Sequence, residues 1–294
     1  MGIIDSHMHV HYHGLDAPGL IHEMDSFGID KSWLLTWYIP PDEHVPSSHK
    51  VFSPLNVRPD GTHAGSPLKD VLNAVRQYPN RFIPGFCPWP ASIQAADEFE
   101  VAVEMHGVRV CGEWSYRMLL DDPRSIELFR RAGKLKCPVV LHIDVSFLPN
   151  IDCVPVYQEF WYGGMPGPLE RALQASPDTI FIGHAPGFWR YISGDAEADP
   201  DMYPKGPIQP GGELIRLFDD YPNLYADLSA GSGLGALIRN VDQGRQFLVK
   251  YSDRLLFGRD APGNVLQDHL KKLNLPVDVW NSITKVNANR LINL

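Results

Sequence analysis

The stretch IIDSHMHVHYHG, residues 3–14, places an apolar pair before an aspartate and then a histidine at every second position. Residues i and i+2 of a β-strand share a face, so His7 and His9 are predicted to point to one side of a first strand. An open, doubly wound sheet normally carries a glycine-rich G-x-G-x-x-G turn after its first strand, and this stretch has none. It therefore favours a closed barrel.

A short apolar strand followed by a helical pattern recurs along the whole chain. The predicted strands lie at residues 2–9, 31–38, 81–89, 107–114, 137–144, 179–186, 223–230 and 254–262. The predicted helices lie at residues 18–28, 67–77, 94–106, 123–135, 166–176, 211–220, 234–251, 264–273 and 277–292. Strand–helix units in this number predict a parallel sheet that closes into a (β/α)8 TIM barrel. Because no linker interrupts the pattern, we expect one barrel domain over residues 1–294.

The composition restricts the class of partner. The 294 residues are 44% hydrophobic and carry a net charge of -9, which disfavours nucleic acid or an anionic membrane surface, since both attract basic patches. No apolar run reaches the ~18 residues of a membrane span. The start of the chain has no secretory pattern and the four cysteines form no C-x-x-C pair, so we expect a cytoplasmic protein with reduced thiols and a small-molecule substrate. The sequence leaves open whether it forms a homo-oligomer.

Side chains that bind metals stand at the ends of the predicted strands. Besides His7 and His9, they are Glu113, His142, His184, Asp227 and Asp260. The carboxyl ends of barrel strands converge on one mouth, where active sites of this fold lie. Imidazoles and carboxylates are ligands of Zn²⁺, Mn²⁺ and Fe²⁺. We therefore predict a divalent metal site, with Asp5 one layer deeper as a group that could orient a ligand.

Four motifs, in strand order, resemble those of the amidohydrolase-related barrels: DSHMH, VVLH, FIGHAPG and LLFGRD. The resemblance extends to the terminal VNANRLINL and covers essentially the whole chain. This branch of the amidohydrolase superfamily includes aminocarboxymuconate-semialdehyde decarboxylase, the resorcylate decarboxylases and the pyrone-dicarboxylate lactonase. The resemblance implies metal ligands at His7, His9, His142 and Asp260, and places His184 beside the metal as a ligand or an acid/base group. It also implies that Asp260 takes a proton from the attacking water.

Three segments depart from the better-known branches. Where binuclear relatives carry a carbamylated lysine, strand four carries Arg109 and then Glu113. GHAPGFW stands in place of the GH-x-GE that is typical of the decarboxylases, and GRDAP has Arg259 where a small residue is common. The missing lysine favours one ion, most simply zinc, with manganese or iron as alternatives; two ions stay open if Glu113 bridges them.

These residues favour a metal-dependent hydrolase that acts on a small cyclic ester, amide or carboxylic acid. Asp260 would be the base, and His184 would polarise the substrate or stabilise an oxyanion. Glu113 is a candidate catalytic or bridging carboxylate, with a structural ion pair as the alternative. A non-oxidative decarboxylase on the same site and a barrel that binds a metal or ligand without turnover remain the alternatives.

Further residues are candidates for the substrate. Arg117 and Arg190 could hold a carboxylate, Trp189 could supply an apolar wall, and His11 lies in the first loop, facing solvent or substrate. Asp227 is expected to cap the SAGSG segment that follows it. Two long loops, residues 39–65 and 145–164, follow the carboxyl ends of strands two and five and are typical of lids or binding loops.

Overall fold

A ring of parallel strands forms the centre of the molecule. The computed structural model describes residues 2–159 and 161–292, so Met1, Asn293 and Leu294 of the predicted domain and Phe160 of the second long loop lie outside the described residues. The strands of the ring are β1 Ile3–Met8, β2 Ile29–Leu34, β3 Phe82–Pro84, β4 Cys111–Trp114, β5 Val139–His142, β6 Phe181–His184, β7 Leu224–Asp227 and β8 Leu255–Leu256. Each corresponds to one predicted strand.

The ring closes through backbone hydrogen bonds at two seams. One ladder joins β1, β2 and β3, and a second joins β4 to β8 in chain order. Between the ladders, the Phe86 amide donates to the Val110 carbonyl at 2.9 Å. Between β8 and β1, the Ser6 amide donates to the Phe257 carbonyl at 2.9 Å. These bonds confirm the predicted TIM barrel.

Helices follow the strands around the outside of the barrel. They span Ala17–Phe27, Leu68–Gln77, Ala95–His106, Pro123–Lys134, Gly167–Ala175, Glu213–Asp220, Ala230–Ile238, Val241–Lys250 and Val265–Lys272. A final run comprises Val277–Asn281, a π-helical turn at Ser282–Val286, and Asn287–Ile292. No helix within the described part of the chain has the length and apolar character that crossing a bilayer requires.

Some element boundaries differ from the sequence prediction. The single helix expected at 234–251 is two helices, because the Asn240 side chain accepts a hydrogen bond from the Gln243 amide and begins a second helix. The strands expected at 31–38 and 254–262 end early, at Leu34 and Leu256. Leu35 and Phe257, which follow them, still bond to β1 through the backbone, and Trp37 and Asp260 lie beyond, at the carboxyl end of the barrel.

Both long loops contain regular structure. In the first loop, Trp37–Tyr38 pairs with Gly65–Ser66 in an antiparallel hairpin, and short helical turns lie at Pro41–Glu43, Ser48–Val51 and Pro54–Asn56. Gly65 has a φ of +77°, and a Cβ there would lie 1.9 Å from the Trp37 carbonyl oxygen, so only glycine allows this pairing. In the second loop, Phe147–Pro149 pairs with Pro155–Tyr157.

The barrel interior has an apolar layer beneath a polar one. The apolar layer contains Ile4, Trp33, Leu35, Val110, Val140, Ile182, Tyr225 and Leu256, and Ala288 and Leu291 of the final helix pack against it. His142, His184 and Asp227 each follow an apolar-layer residue by two positions. Since alternate strand residues share a face, these three side chains also point inward, one layer nearer the carboxyl ends of the strands.

Leu291→Ala is expected to destabilise the protein by about 2–5 kcal/mol, because Leu291 is 3% exposed and its removal leaves a cavity under the apolar layer. Urea unfolding followed by circular dichroism measures the effect. Val277→Ala is the matched control in the same helical run, since Val277 is 75% exposed. Equal effects of the two substitutions would contradict the packing of this helix against the barrel interior.

Candidate metal centre

Glu113 lies at the centre of a cluster of histidines. Its Oε1 is 2.9 Å from His142 Nδ1, 3.4 Å from His7 Nε2 and 3.9 Å from His184 Nε2. Its Oε2 is 3.5 Å from His9 Nε2. The glutamate is fully buried. The ends of β1, β4, β5 and β6 thus bring together five of the residues that the sequence singled out.

Hydrogen bonds orient the histidine rings toward this centre. His7 Nδ1 and His184 Nδ1 donate to the two oxygens of Asp227, at 2.9 and 3.0 Å. His9 Nδ1 donates to the Leu35 carbonyl at 2.9 Å. A ring whose Nδ1 carries the hydrogen has its lone pair on Nε2. The Nε2 atoms of these rings are therefore free to act as metal ligands.

Four buried atoms at the centre have no hydrogen-bond partner among the described residues. They are His7 Nε2, His9 Nε2, Glu113 Oε2 and Asp260 Oδ1. Asp260 Oδ1 lies 3.7 Å from His7 Nε2 and 3.5 Å from His9 Nε2. Two ligands that each lie ~2.0–2.2 Å from one tetrahedral ion are about 3.3–3.6 Å apart. The donor types, their spacing and their unpaired state fit a divalent metal ion.

The charges at the centre also favour a cation. Glu113, Asp227 and Asp260 are buried, and within residues 2–159 and 161–292 their ion-pair partners are all histidines. Burial raises the pKa of Glu113, but His142 and His7 outweigh it and hold that pKa well below its usual value. Burial lowers the pKa of His142, but Glu113 and Asp144 reverse this effect and raise the pKa to about 10. Negative charge is in excess here, and a bound cation would neutralise it in place of these protons.

Asp227 contributes more than the cap that the sequence predicted. Its Oδ1 does accept from the Ser229 amide at 3.1 Å, as a capping residue would. The same carboxylate also holds His7 and His184, so it fixes two rings of the centre. A signal for this role was available, because Asp227 ends β7 at the level where His184 ends β6.

Asp5 holds the backbone of a candidate ligand, because its Oδ1 accepts from the His7 amide at 3.2 Å. Its Oδ2 accepts from Arg259 Nε at 2.7 Å, and its Oδ1 accepts from the Arg259 amide at 3.0 Å. Arg259 also donates to Glu23 at 3.1 Å. The unusual arginine in GRDAP thus ties the segment that carries Asp260 to β1 and to the first helix.

The two long loops form the roof of a cavity of about 160 Å³ above the centre. Its lining includes Trp37, Glu43 and Phe52 of the first loop, Tyr162 of the second, and His142 and Asp144 at the end of β5. The Trp37 ring lies 5.4 Å from the His9 ring and 5.3 Å from the His142 ring. The loops predicted to be lids therefore lie over the candidate ligands.

The residues predicted to contact substrate lie in different environments. Trp189 is 1% exposed and its indole Nε1 donates to the Asp227 carbonyl at 3.1 Å, so it supports the centre from behind. Arg117 is half-buried, and its amide donates to Glu43 Oε2 at 3.0 Å. Arg190 is 3% exposed and lies outside the cavity over His142. The substrate roles of these residues stay predictions.

His11 is also absent from the lining of that cavity. It is half-buried, has a φ of +59°, and its backbone carbonyl accepts from the Ser53 amide at 3.1 Å. Its neighbour Tyr12 packs its ring 5.4 Å from the His9 ring, a contact that the sequence did not predict. Asp144 was missed as well, although its position two residues after His142 was a signal.

Comparisons with known proteins identify the family and the fold of the chain. The Amidohydrolase family model matches residues 4–291. No curated protein sequence matches the chain. An uncharacterised TIM-barrel protein from Bordetella bronchiseptica is 17% identical with a TM-score of 0.63, covering 98% of this chain and 97% of that one.

Two solved structures of named enzymes are also similar. A dihydroxybenzoic acid decarboxylase from Polaromonas sp. JS666, with bound manganese and the inhibitor 2-nitroresorcinol, is 18% identical with a TM-score of 0.59, covering 100% and 97% of the two chains. A probable 2-pyrone-4,6-dicarboxylic acid hydrolase from Acinetobacter baumannii, with citric acid bound, is 16% identical with a TM-score of 0.54 and full coverage of both chains. At these identities the likeness establishes the fold.

The double variant His7→Ala/His9→Ala is expected to lose most of its bound metal, because it removes two of the four unpaired ligand atoms. Elemental analysis of the purified protein measures the metal content, with about one ion per chain expected before substitution. His22→Ala/His106→Ala is the matched control, since both of these histidines are exposed. Full metal content in the His7/His9 variant would remove these residues from the site.

Proposed function

Because the chain belongs to the amidohydrolase family, as its motifs predicted, we propose that it is a metal-dependent hydrolase of a small cyclic ester, amide or carboxylic acid. That it is an enzyme of the amidohydrolase superfamily follows from the family match. The choice of hydrolysis rests on the position of Asp260 and on the acidic cavity above His142.

His7, His9, Glu113 and Asp260 would hold the metal ion, with zinc proposed first and manganese or iron as alternatives. When bound, the ion supplies Lewis acidity and lowers the pKa of a coordinated water from ~16 toward about 7. We propose one ion, because each of the four unpaired atoms lies within 3.7 Å of another of them. His142, which the resemblance placed among the ligands, has its Nδ1 2.9 Å from Glu113 and its Nε2 3.5 Å from Asp144, and its ligand role stays a prediction. A second ion would have to use Glu113, His142 and His184, which also form a group of possible ligands.

Asp260 is held where it can act as the base. Its amide donates to the His7 carbonyl at 2.8 Å, and its φ of +55° lies in the left-handed region, which aspartate tolerates better than most residues. Its Oδ2 lies 3.4 Å from His184 Nε2. Asp260 and His184 can therefore face the same small molecule. Asp260 would accept a proton from the attacking water and pass it to the leaving group.

His184 would stabilise the oxygen that gains negative charge. Burial lowers its pKa, but the Asp227 carboxylate reverses this effect and raises it. With Nδ1 held by Asp227, the proton on Nε2 would be directed at the substrate oxygen. Ligation of the metal by His184, with its Nε2 unprotonated, is the alternative.

The walls of the cavity above His142 favour a neutral reacting group over a carboxylate. Glu43 and Asp144 both line the cavity, and its lining contains no lysine or arginine from the described part of the chain. A decarboxylase must bring the substrate carboxylate to the reacting centre, where these two acids would repel it. Hydrolysis of an ester or amide brings a neutral carbonyl group instead.

The segment after His184 supports the same choice. Where decarboxylases of this branch resemble one another in carrying a glutamate, this chain has Ala185-Pro186-Gly187. The Gly187 amide donates to the Ile143 carbonyl at 2.8 Å, and a Cβ on Gly187 would lie 2.5 Å from the Ile143 and Asp144 carbonyl oxygens. This segment packs directly against the end of β5 and contributes no acid, so Asp260 is the base proposed here.

Asp260→Asn is expected to lower kcat by at least ~10²-fold while the barrel stays folded, because the amide cannot take up the proton. Steady-state kinetics on the best substrate from a screen of lactones, amides and aromatic acids measures the loss. Asp278→Asn, at an exposed aspartate, is the matched control. Near-normal turnover in the Asp260 variant would exclude it as the base.

Turnover in ¹⁸O-water separates the candidate reactions. Hydrolysis is expected to place ¹⁸O in a product carboxylate or hydroxyl, without release of CO₂, because water is the nucleophile. Mass spectrometry of the product and headspace analysis of CO₂ measure both quantities. Stoichiometric CO₂ from an aromatic or muconate acid would assign the protein to the decarboxylases. Metal binding without turnover of any screened substrate would favour a non-catalytic barrel.

A further inference from the structure

A second, larger pocket of about 500 Å³ lies beside the metal centre. Three segments line it, at residues 186–190, 202–205 and 231–239. Its walls are mainly apolar and include Trp189 and Ala236. A pocket of this size, apolar with a few polar groups, is typical of sites for small organic molecules.

Two buried guanidinium groups lie in the lining of this pocket. Arg190 is 3% exposed; its Nε donates to the Ala196 carbonyl at 2.9 Å and its Nη2 to the Asp199 carbonyl at 2.7 Å. Its Nη1 has no partner among the described residues, and none of their carboxylates lies within 4.0 Å of it. The Arg239 side chain is 3% exposed; its Nε donates to the Gly206 carbonyl at 2.6 Å, and it forms an ion pair with Asp195 at 3.8 Å.

A third buried polar group in the lining is also unpaired. Ser232 is 4% exposed, and its Oγ has no partner among the residues described. A buried cation is costly unless an anion or several acceptors neutralise it, and a buried hydroxyl is costly unless it is hydrogen-bonded. Arg190 Nη1 and Ser232 Oγ are therefore positioned for a ligand that accepts hydrogen bonds and carries negative charge.

The segment that follows β6 joins the pocket to the metal centre. Pro186 of its lining follows His184 by two residues, and Trp189 donates to the Asp227 carbonyl. Tyr203, which is 51% exposed, also lines the pocket. One short segment of the chain, Pro186–Trp189, therefore separates the two sites.

We propose that this pocket, the arginine pocket, binds an apolar arm of the substrate that ends in a carboxylate. That the bound molecule is the substrate rests on the proposed function. The binding of an apolar carboxylate in this pocket is independent of it. The two sites would recognise different parts of the molecule. The acidic cavity favours the neutral reacting group, and the arginine pocket binds the carboxylate. The lining also contains the exposed Lys205. A carboxylate suits the pocket better than a phosphate, since among the described residues its unpaired buried donors are Arg190 Nη1 and Ser232 Oγ and its walls are mainly apolar.

The probe for the test is 1-naphthoate, with 1-naphthalenemethanol as its uncharged counterpart. Isothermal titration of the metal-loaded protein is expected to show that the carboxylate binds at least ~10-fold more tightly than the alcohol, because it gains a charge-assisted hydrogen bond. Gly235→Leu is expected to abolish binding, since Gly235 lines the pocket and an added Cβ there meets nothing within 4 Å, so the larger side chain fills the pocket without a backbone clash.

Arg239→Gln is expected to weaken binding of 1-naphthoate by about tenfold and to leave the alcohol unaffected. Arg171→Gln is its matched control, because Arg171 is exposed and pairs with Asp121 away from the pocket. Binding should persist in Asp260→Asn, so a failed hydrolase assignment would not remove it. Equal binding of both probes, binding unchanged in Gly235→Leu, or binding lost in His7→Ala/His9→Ala would each overturn the proposal.

Discussion

Glu113 imposes the constraint on which the rest of the centre depends. A fully buried carboxylate needs positive charge or several donors around it, and the barrel supplies four imidazoles from three strands and no lysine or arginine within the described residues. Asp227 and Asp260 add two more buried acids to the same space. The negative charges of these three carboxylates are not balanced until protons or a cation bind. Burial and charge therefore lead to the same requirement as the ligand geometry.

The barrel meets this requirement by separating its layers. Apolar residues fill the interior beneath the centre, so the polar side chains above them are shielded from water on that side. The hydrogen bonds of Asp227 and of the Leu35 carbonyl then fix the ring orientations, and the two long loops cover the opposite side. The floor of the candidate site is thus packed barrel interior and its roof is made of loops. Barrel enzymes commonly place their binding residues on such loops.

The sequence predicted the features that depend on local periodicity. Period-two spacing identified His7 and His9, and the common position at strand ends identified Glu113, His142 and His184. It could not predict contacts between distant strands, such as that of Asp5 with Arg259, which are 254 positions apart. Nor could it show that Trp189 is buried behind the centre, because the short helix Pro186–Trp189 follows β6 at once and turns the indole inward. Residue types indicated the chemistry of the site, while three-dimensional packing determined which of these residues belong to the site.

The seam between β8 and β1 has a consequence for how the protein is made. His7 and His9 are synthesised well before Arg259, Asp260 and β8, the strand that closes the ring, since Asp5 and Arg259 are 254 positions apart. Until then, β1 has an unpaired edge and two of the candidate ligands have no carboxylate partner from β8. The nascent chain must therefore keep its histidines from premature metal capture and its first strand from pairing with other chains. The complete centre can assemble only after β8 and Asp260 have been synthesised.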